Sequence, residues 1–558
     1  MTATDSTRVR GVAVVSLAIT AVFTLTFAYR RAGIPNPFEL PVYSHLILFH
    51  DYAAVAPYIG VLLLALLPQV GELGVRAATF CGRHAMAVAL ATAAALALGT
   101  RLVYHLHPLS LDEHAAVFQS QIFAEGHLSG QYPAALMDWL IPKFFQAKFL
   151  VGSAASGKVA SVYWPGFSLL LTPFTALGVP WLLNPLIGGG TILVMHRLGL
   201  ALFGSAECAG YVVLLTLASP AITINALSFY SMPAHLLLNG LYTLLLLSAT
   251  PSRALLAGVL GSVALVLHNP VPHLAFALPW MVWLAFRPDR LRLLGALVLG
   301  YLPLALVLGW GWALYYDQLL GREVAANSFT PAAAASTFMG RITSVLTGAP
   351  GVGLVSRYLD LGKLWLWAVP GLVTVAAMGA WQRRRDRGAW LVFACSGLLT
   401  YLAYFTVPFD QGHGWGARYL HSAWLILPLF AAGALRTGGS PDTAPASGLA
   451  RYLAACAALS LAVLTPLRAL QVEQFIARHL TQLPQAAGGE PRVLIINFVN
   501  TYYGWDLVRS DPFFRDPVKV LITRGEAQDR AMMAAQFPQY RLLGSDWRGW
   551  VWGIPAKP

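Results

Sequence analysis

Asp112 and Glu113 stand side by side in the stretch YHLHPLSLDEH, a few residues after a long apolar run, with His105, His107 and His114 around them. Adjacent carboxylates at the mouth of a membrane span are costly unless they are used. A carboxylate in a semi-enclosed site at a membrane surface can take a proton from a hydroxyl or amine acceptor, which makes Asp112 the candidate general base and Glu113 its catalytic neighbour. Two other readings attach to the same residues. Ser110 or Asp112 can cap a helix running from His114 to Glu125, whose first turn favours acidic side chains. Asp112, Glu113 and His114 can instead hold a divalent metal ion, although their spacing is not diagnostic of one.

Candidate cations lie further along. The turn FDQGHGWGARYL sets Gly412, Gly414 and Gly416 among His413, Trp415, Arg418 and Tyr419 just before an apolar run. The planar fork of Arg418 suits a phosphate or phosphodiester, because it can bind two oxygens at once. Three glycines in five residues permit a close backbone approach that a simple interfacial anchor would not need. Lys158 precedes the aromatic, proline-containing turn Ser161 to Phe167 and can neutralise a phosphate there, or snorkel to the headgroups. His268, Asn269, Pro270 and His273 break a helical hairpin on the same side and can line a cavity. Arg322, Arg341, Arg357 and Lys363 are further candidates for anionic headgroups.

The elements that must position these residues are mostly membrane spans. The chain is 57% hydrophobic and 11% charged, against about 25% charge in a typical soluble domain. The formal charge of +13 comes from arginines in short clusters between apolar runs, which fits topology better than nucleic-acid binding. The four cysteines have no CxxC spacing and indicate neither a metal site nor a disulfide framework. Apolar windows predict about thirteen transmembrane helices, the first uncleaved, in an α-helical polytopic membrane protein. With the N-terminus cytoplasmic, most arginine-bearing short loops fall inside; Arg30 and Arg31 are the exception.

That orientation divides the chain into an N-terminal transmembrane hairpin (1–83), a transmembrane unit (84–470) with external loops 104–179 and 316–361, and a linker with a small external α/β domain (471–558). Gly488, Gly489 and Pro491 mark the linker. In the tail, 492–499, 518–523, 540–543 and 550–554 read as strands and 526–537 as an amphipathic helix. Its polar cluster, Tyr502, Tyr503, Trp505, Asp506, Arg509 and Asp511, has the make-up of a glycan-binding or docking surface rather than a catalytic set.

Several segments, in this order, resemble the bacterial polyprenyl-phosphate-dependent glycosyltransferases of the GT-C fold: LDEHAAVFQSQIFAEGHLSG, GKVASVYWPGFSLLLTPFTALGVPWLLNPLIGG, HRLGLALFG, FYSMPAH and GWGARYL. The likeness spans roughly 84–436 and is to the branch of protein O-mannosyltransferase-like, aminoarabinose-transferase-like and lipopolysaccharide galacturonosyltransferase-like enzymes. Trp164-Pro165 stands where that family has paired prolines, and Ala417 where proline is common. The resemblance implies a GT-C fold in a bacterial inner membrane, a polyprenyl-phosphate-linked sugar as donor, and a lipid, cell-envelope glycan or protein as acceptor on the periplasmic face. It further implies inverting transfer with Asp112 as base, Arg418, Lys158 and His413 toward the donor phosphate, and His114, Tyr163, His268 and Tyr419 around the sugar or acceptor. No cofactor is implied beyond the divalent ion already named, and no nucleotide or nucleic acid. A transporter or flippase of lipid-linked sugars is the alternative; matched broken helices in two halves would favour it. A non-catalytic scaffold would make no use of the carboxylate pair.

Overall fold

The computed structural model describes residues 3–142, 145–146, 148–320, 352–407, 409–435, 447–485 and 492–554. The linker glycines Gly488 and Gly489, Pro491, Arg322, Arg341 and most of the expected 316–361 loop lie outside them. Among the described residues, six helices are long and apolar enough to cross a membrane: Asp5–Arg31, Ala85–Leu102, Pro180–Phe203, Arg290–Tyr316, Ala389–Thr406 and Gly448–Leu480. The pair Val42–Asp51 and Val55–Leu64, bent by 42°, makes a seventh if counted as one span. Most of the remaining expected spans appear as shorter apolar helices, such as Met232–Leu247 and Val271–Ala285. The chain is a polytopic α-helical membrane protein.

The shortening has local causes. The apolar window 362–381 conceals a break: one helix, Val352–Leu366, ends before Pro370, Gly371 turns at φ +82°, and a second helix, Leu372–Gln382, begins. Hydropathy does not register such a turn, because its residues are themselves apolar. Arg31, one of the two arginines that depart from the expected positive-inside pattern, also has a local reason for its place. Arg31 lies over the rings of Phe49 and Tyr52, 4.7 and 5.3 Å from their centroids, contacts that favour a cation wherever the topology puts it.

Between the first spans lies an amphipathic helix, Pro68–Arg83. A Cβ at Gly74 would sit 2.4 Å from the Ala454 backbone, and one at Gly82 2.2 Å from the Ala206 carbonyl. Small residues here let helices meet backbone to backbone.

At the bend after Asp51 the protein buries charge. Asp51 Oδ2 pairs with Lys363 Nζ at 3.1 Å, and its Oδ1 with Arg468 Nη1 at 3.0 Å and the Trp367 indole at 2.6 Å. Lys363, expected toward headgroups, faces inward instead, as does Arg357, which is paired with Asp360 at 3.3 Å. Water cannot stabilise these charges in the interior, so each needs its partner.

Outside the spans, two small sheets share one core. The first joins β1 (Gly130–Gln131), β2 (Leu150–Gly152) and β3 (Lys158–Ser161), antiparallel in the order β1-β3-β2. The second joins β4 (Arg492–Ile496), β5 (Val518–Ile522), β6 (Arg541–Asp546) and β7 (Gly549–Gly553) in the order β5-β4-β7-β6, with β4 and β5 parallel. These strands and the helix Glu526–Gln536 follow the periodicity of the tail closely. Phe118 and Ile122 from the helix Leu111–Ala124 pack in the same cluster as Val493, Ile495, Leu521 and Met533. The tail is therefore built into the segment that carries Asp112.

Ser545 is exposed on β6 and reports the side of the membrane the tail occupies. With the four native cysteines replaced, Ser545→Cys is expected to react with an impermeant maleimide in cells whose outer membrane, if present, is opened. Labelling only after lysis would place the tail in the cytoplasm.

Candidate active site

The helix Leu111–Ala124 begins with a capping box: Ser110 Oγ accepts from the Glu113 amide, and Glu113 reaches back to the Ser110 amide. Glu113 Oε2 also accepts from Leu109 N at 2.8 Å, and Oε1 from Phe229 N at 2.9 Å. Burial raises the Glu113 pKa while these amides lower it, with burial the larger effect. Expected beside Asp112 as its catalytic neighbour, Glu113 is turned the other way, onto backbone amides. It fixes the start of the helix.

Asp112, one residue earlier, is thereby aimed away from the cap. Its Oδ2 accepts from Arg418 Nη1 at 2.9 Å, and its Oδ1 accepts from the Tyr163 hydroxyl. Both members of the ion pair retain some exposure, 17% for Asp112 and 10% for Arg418, so the pair borders an accessible space. Burial pushes the Asp112 carboxyl up, but Arg418 and the Tyr163 hydrogen bond outweigh it and hold it below its ordinary value. At neutral pH Asp112 is a carboxylate.

Arg418 owes its place to the glycine turn. Gly414 takes φ +118°, and a Cβ there would lie 2.4 Å from Arg418 Cδ. Gly416, at φ +65°, lets the chain pass close to Ala221 and Trp367. Gln411 closes the turn, donating to the Gly416 carbonyl and accepting from the Arg418 amide, each at 2.9 Å. Arg418 also donates to the His413 carbonyl at 3.0 Å and lies 4.4 Å over the Tyr230 ring. Tyr230 in turn shares a 2.9 Å hydrogen bond with Ser110. It belongs to the FYSMPAH segment, which is the one signal in the sequence that pointed toward it.

The remaining candidates divide. His268 joins the site: its ring lies 3.8 Å from that of Tyr163, and its carbonyl accepts from Trp164. His413 turns toward Asp506, 2.9 Å away. Tyr419 stacks on Tyr404 at 4.3 Å and donates to the Asp410 carbonyl, so its hydroxyl is already engaged. His114 is buried edge-on against Phe118, where loss of hydration lowers its pKa to about 3. Lys158 is exposed at the start of β3, and no ion pair of its side chain occurs among the described residues. Asp112, Glu113 and His114 diverge, and among the described residues no group of three such side chains could hold a metal. The donor set does not fit the divalent ion.

Neither a protein-family model nor a curated protein matches the sequence. The fold does have solved counterparts. The crystal structure of ArnT from Cupriavidus metallidurans bound to undecaprenyl phosphate superposes with a TM-score of 0.52 at 13% identity, covering 84% of this chain and 99% of that one. The apo structure of the same protein gives a TM-score of 0.47 at 12% identity. The superposition covers nearly the whole of the solved chain, and this chain has the GT-C fold seen in ArnT.

Proposed function

We propose that the protein is an inverting glycosyltransferase that moves a sugar from a polyprenyl-phosphate donor to a hydroxyl- or amine-bearing acceptor at the outer membrane surface. The observation that carries this reading is the partly open Asp112–Arg418 pair: a carboxylate able to take a proton beside a fork able to take a phosphate. The undecaprenyl phosphate held by the ArnT structure supports a lipid phosphate as the donor's carrier.

The pair also implies an order of events. In the unliganded site Arg418 neutralises Asp112 and makes it a weak base. A donor phosphate competes for the guanidinium; as Arg418 turns to the phosphate, Asp112 loses its main stabilising charge and its proton affinity rises. The acceptor then attacks the anomeric carbon, its proton passes to Asp112, and the bond to the phosphate oxygen breaks, leaving polyprenyl phosphate as a dianion against Arg418. Tyr163 keeps one carboxylate oxygen fixed while the other receives the proton. Direct displacement inverts the anomeric centre. The core that the tail shares with the helix bearing Asp112 supports a part for the tail in selecting the acceptor.

The test is release of undecaprenyl phosphate from a panel of radiolabelled undecaprenyl-phosphate-linked monosaccharides in proteoliposomes, with host membrane extract as acceptor. Arg418→Ala and Arg418→Lys are both expected to lose most activity, since a point charge does not reproduce the fork. In any residual activity of Arg418→Ala, the acid limb of kcat/KM is expected at higher pH than in the wild type, because burial then acts on Asp112 without its main counter-charge. An unchanged acid limb would remove Asp112 from the role of base.

A further inference from the structure

The two halves of the pair come from distant segments, and a third segment joins them. Asp506, in the tail, is buried, with 3% exposure. Its Oδ1 accepts from the Leu111 amide at 2.9 Å, and its Oδ2 lies 2.9 Å from His413 Nε2. Leu111 is the first residue of the helix that bears Asp112 at its second position. His413 supplies the carbonyl that holds Arg418. One carboxylate thus bonds the amide next to the base and the residue that carries the cation.

Other contacts set Asp506 firmly in place. It lies in the short helix Gly504–Leu507. Arg509 Nε donates to its carbonyl at 2.9 Å while Arg509 Nη1 lies 3.3 Å from His107 Nδ1. Tyr503 stands edge-on to the His413 ring at 5.0 Å and accepts from the Val42 amide. A first-turn amide of a helix has no intrahelical partner, and a carboxylate is the favoured group to meet it.

We propose that Asp506 is a positioning residue of the transfer site, through which the C-terminal segment sets the separation of Asp112 and Arg418. The proposal rests on the glycosyl-transfer reading above. It gives the tail a part in forming the site, beyond covering it. Without Asp506 the helix start and the glycine turn lose their common anchor. A displacement of about an ångström at reacting groups can cost on the order of a hundredfold in rate.

The test uses the full-length protein in the proteoliposome assay, with the undecaprenyl-phosphate-linked monosaccharide that the wild type turns over best. Asp506→Ala is expected to lower kcat by about tenfold to a hundredfold, with a smaller change in donor KM and faster amide exchange across 409–419. Asp506→Asn keeps an acceptor for Leu111 N. Because His413 Nδ1 has no hydrogen-bond partner, the imidazole can change tautomer and accept from the new amide. Asn is therefore expected to restore most of kcat. Arg515→Ala, which removes an exposed tie from the tail to Glu125, is expected to leave kcat unchanged. Normal kcat in Asp506→Ala, or equal losses in the Ala, Asn and Arg515 variants, would overturn the positioning role. The same assay separates the two levels: no release of undecaprenyl phosphate by the wild type from any sugar of the panel defeats the glycosyl-transfer reading itself. Full activity of Asp112→Asn removes the base whose position Asp506 is said to set, and an inactive Asp112→Asn beside a normal Asp506→Ala defeats only the role of Asp506.

Discussion

Asp112→Asn is expected to lower sugar transfer by a factor of a hundred or more while leaving the protein folded and able to bind donor. The amide has the shape of the carboxylate and still accepts from Tyr163, but it cannot take the acceptor's proton. It also cannot neutralise Arg418, which in the wild type is held by Asp112 at 2.9 Å. A free Arg418 should bind a phosphate at least as well as a paired one. Lost turnover with unchanged or tighter donor binding is thus the expected signature, measured by release of undecaprenyl phosphate and by retention of labelled donor. A variant that turns over normally would exclude Asp112 as base. One that loses donor and turnover together would assign it to binding.

Asp51→Ala is expected to produce the largest loss of stability. Asp51 is fully buried, with Lys363 and Arg468 both on its carboxylate and the Trp367 indole beside them. Truncation leaves two buried cations facing each other without an anion. Breaking a buried pair by removing one partner costs about 3–5 kcal/mol, and here one residue serves two partners. Arg468 Nη2 also donates to the Leu366 carbonyl and its guanidinium lies 4.3 Å over Trp367, so the cluster joins the bent helix to two others. A lower unfolding temperature in detergent and reduced yield are expected. Partial recovery is expected when Lys363→Met is added, since that removes one of the stranded charges. An Asp51→Ala protein that melts with the wild type would show that the cluster is not needed for the fold.

The contrast between these two aspartates shows what could be read from the chain. Asp112 was legible because it stands in a polar segment after an apolar run, where an acid calls for explanation. Asp51 opens an apolar window and passes for an ordinary boundary residue; its partner Lys363 is 312 positions away. Arg418 could be nominated from its glycines, but its pairing with Asp112 spans 306 positions and only tertiary structure supplies it. Glu113 follows a local rule: a serine three residues before a glutamate is a capping box, and its hydrogen bonds in the structure include those of that box. The strands and helix of the tail were legible from alternation and amphipathicity. Their shared core with the helix Leu111–Ala124, and the reach of Asp506 into it, were not, because periodicity gives the buried face of an element and not its partner.

The most direct test of the central claim, that Arg418 and Asp112 form a site for a lipid-phosphate-linked sugar, is mass spectrometry of the lipids retained by the purified protein. Wild type and Asp112→Asn are expected to carry polyprenyl phosphate or its glycosylated form, and Arg418→Ala to be depleted of it. Equal retention of polyprenyl lipid in all three proteins, or its absence from all three after incubation with undecaprenyl phosphate, would contradict the account.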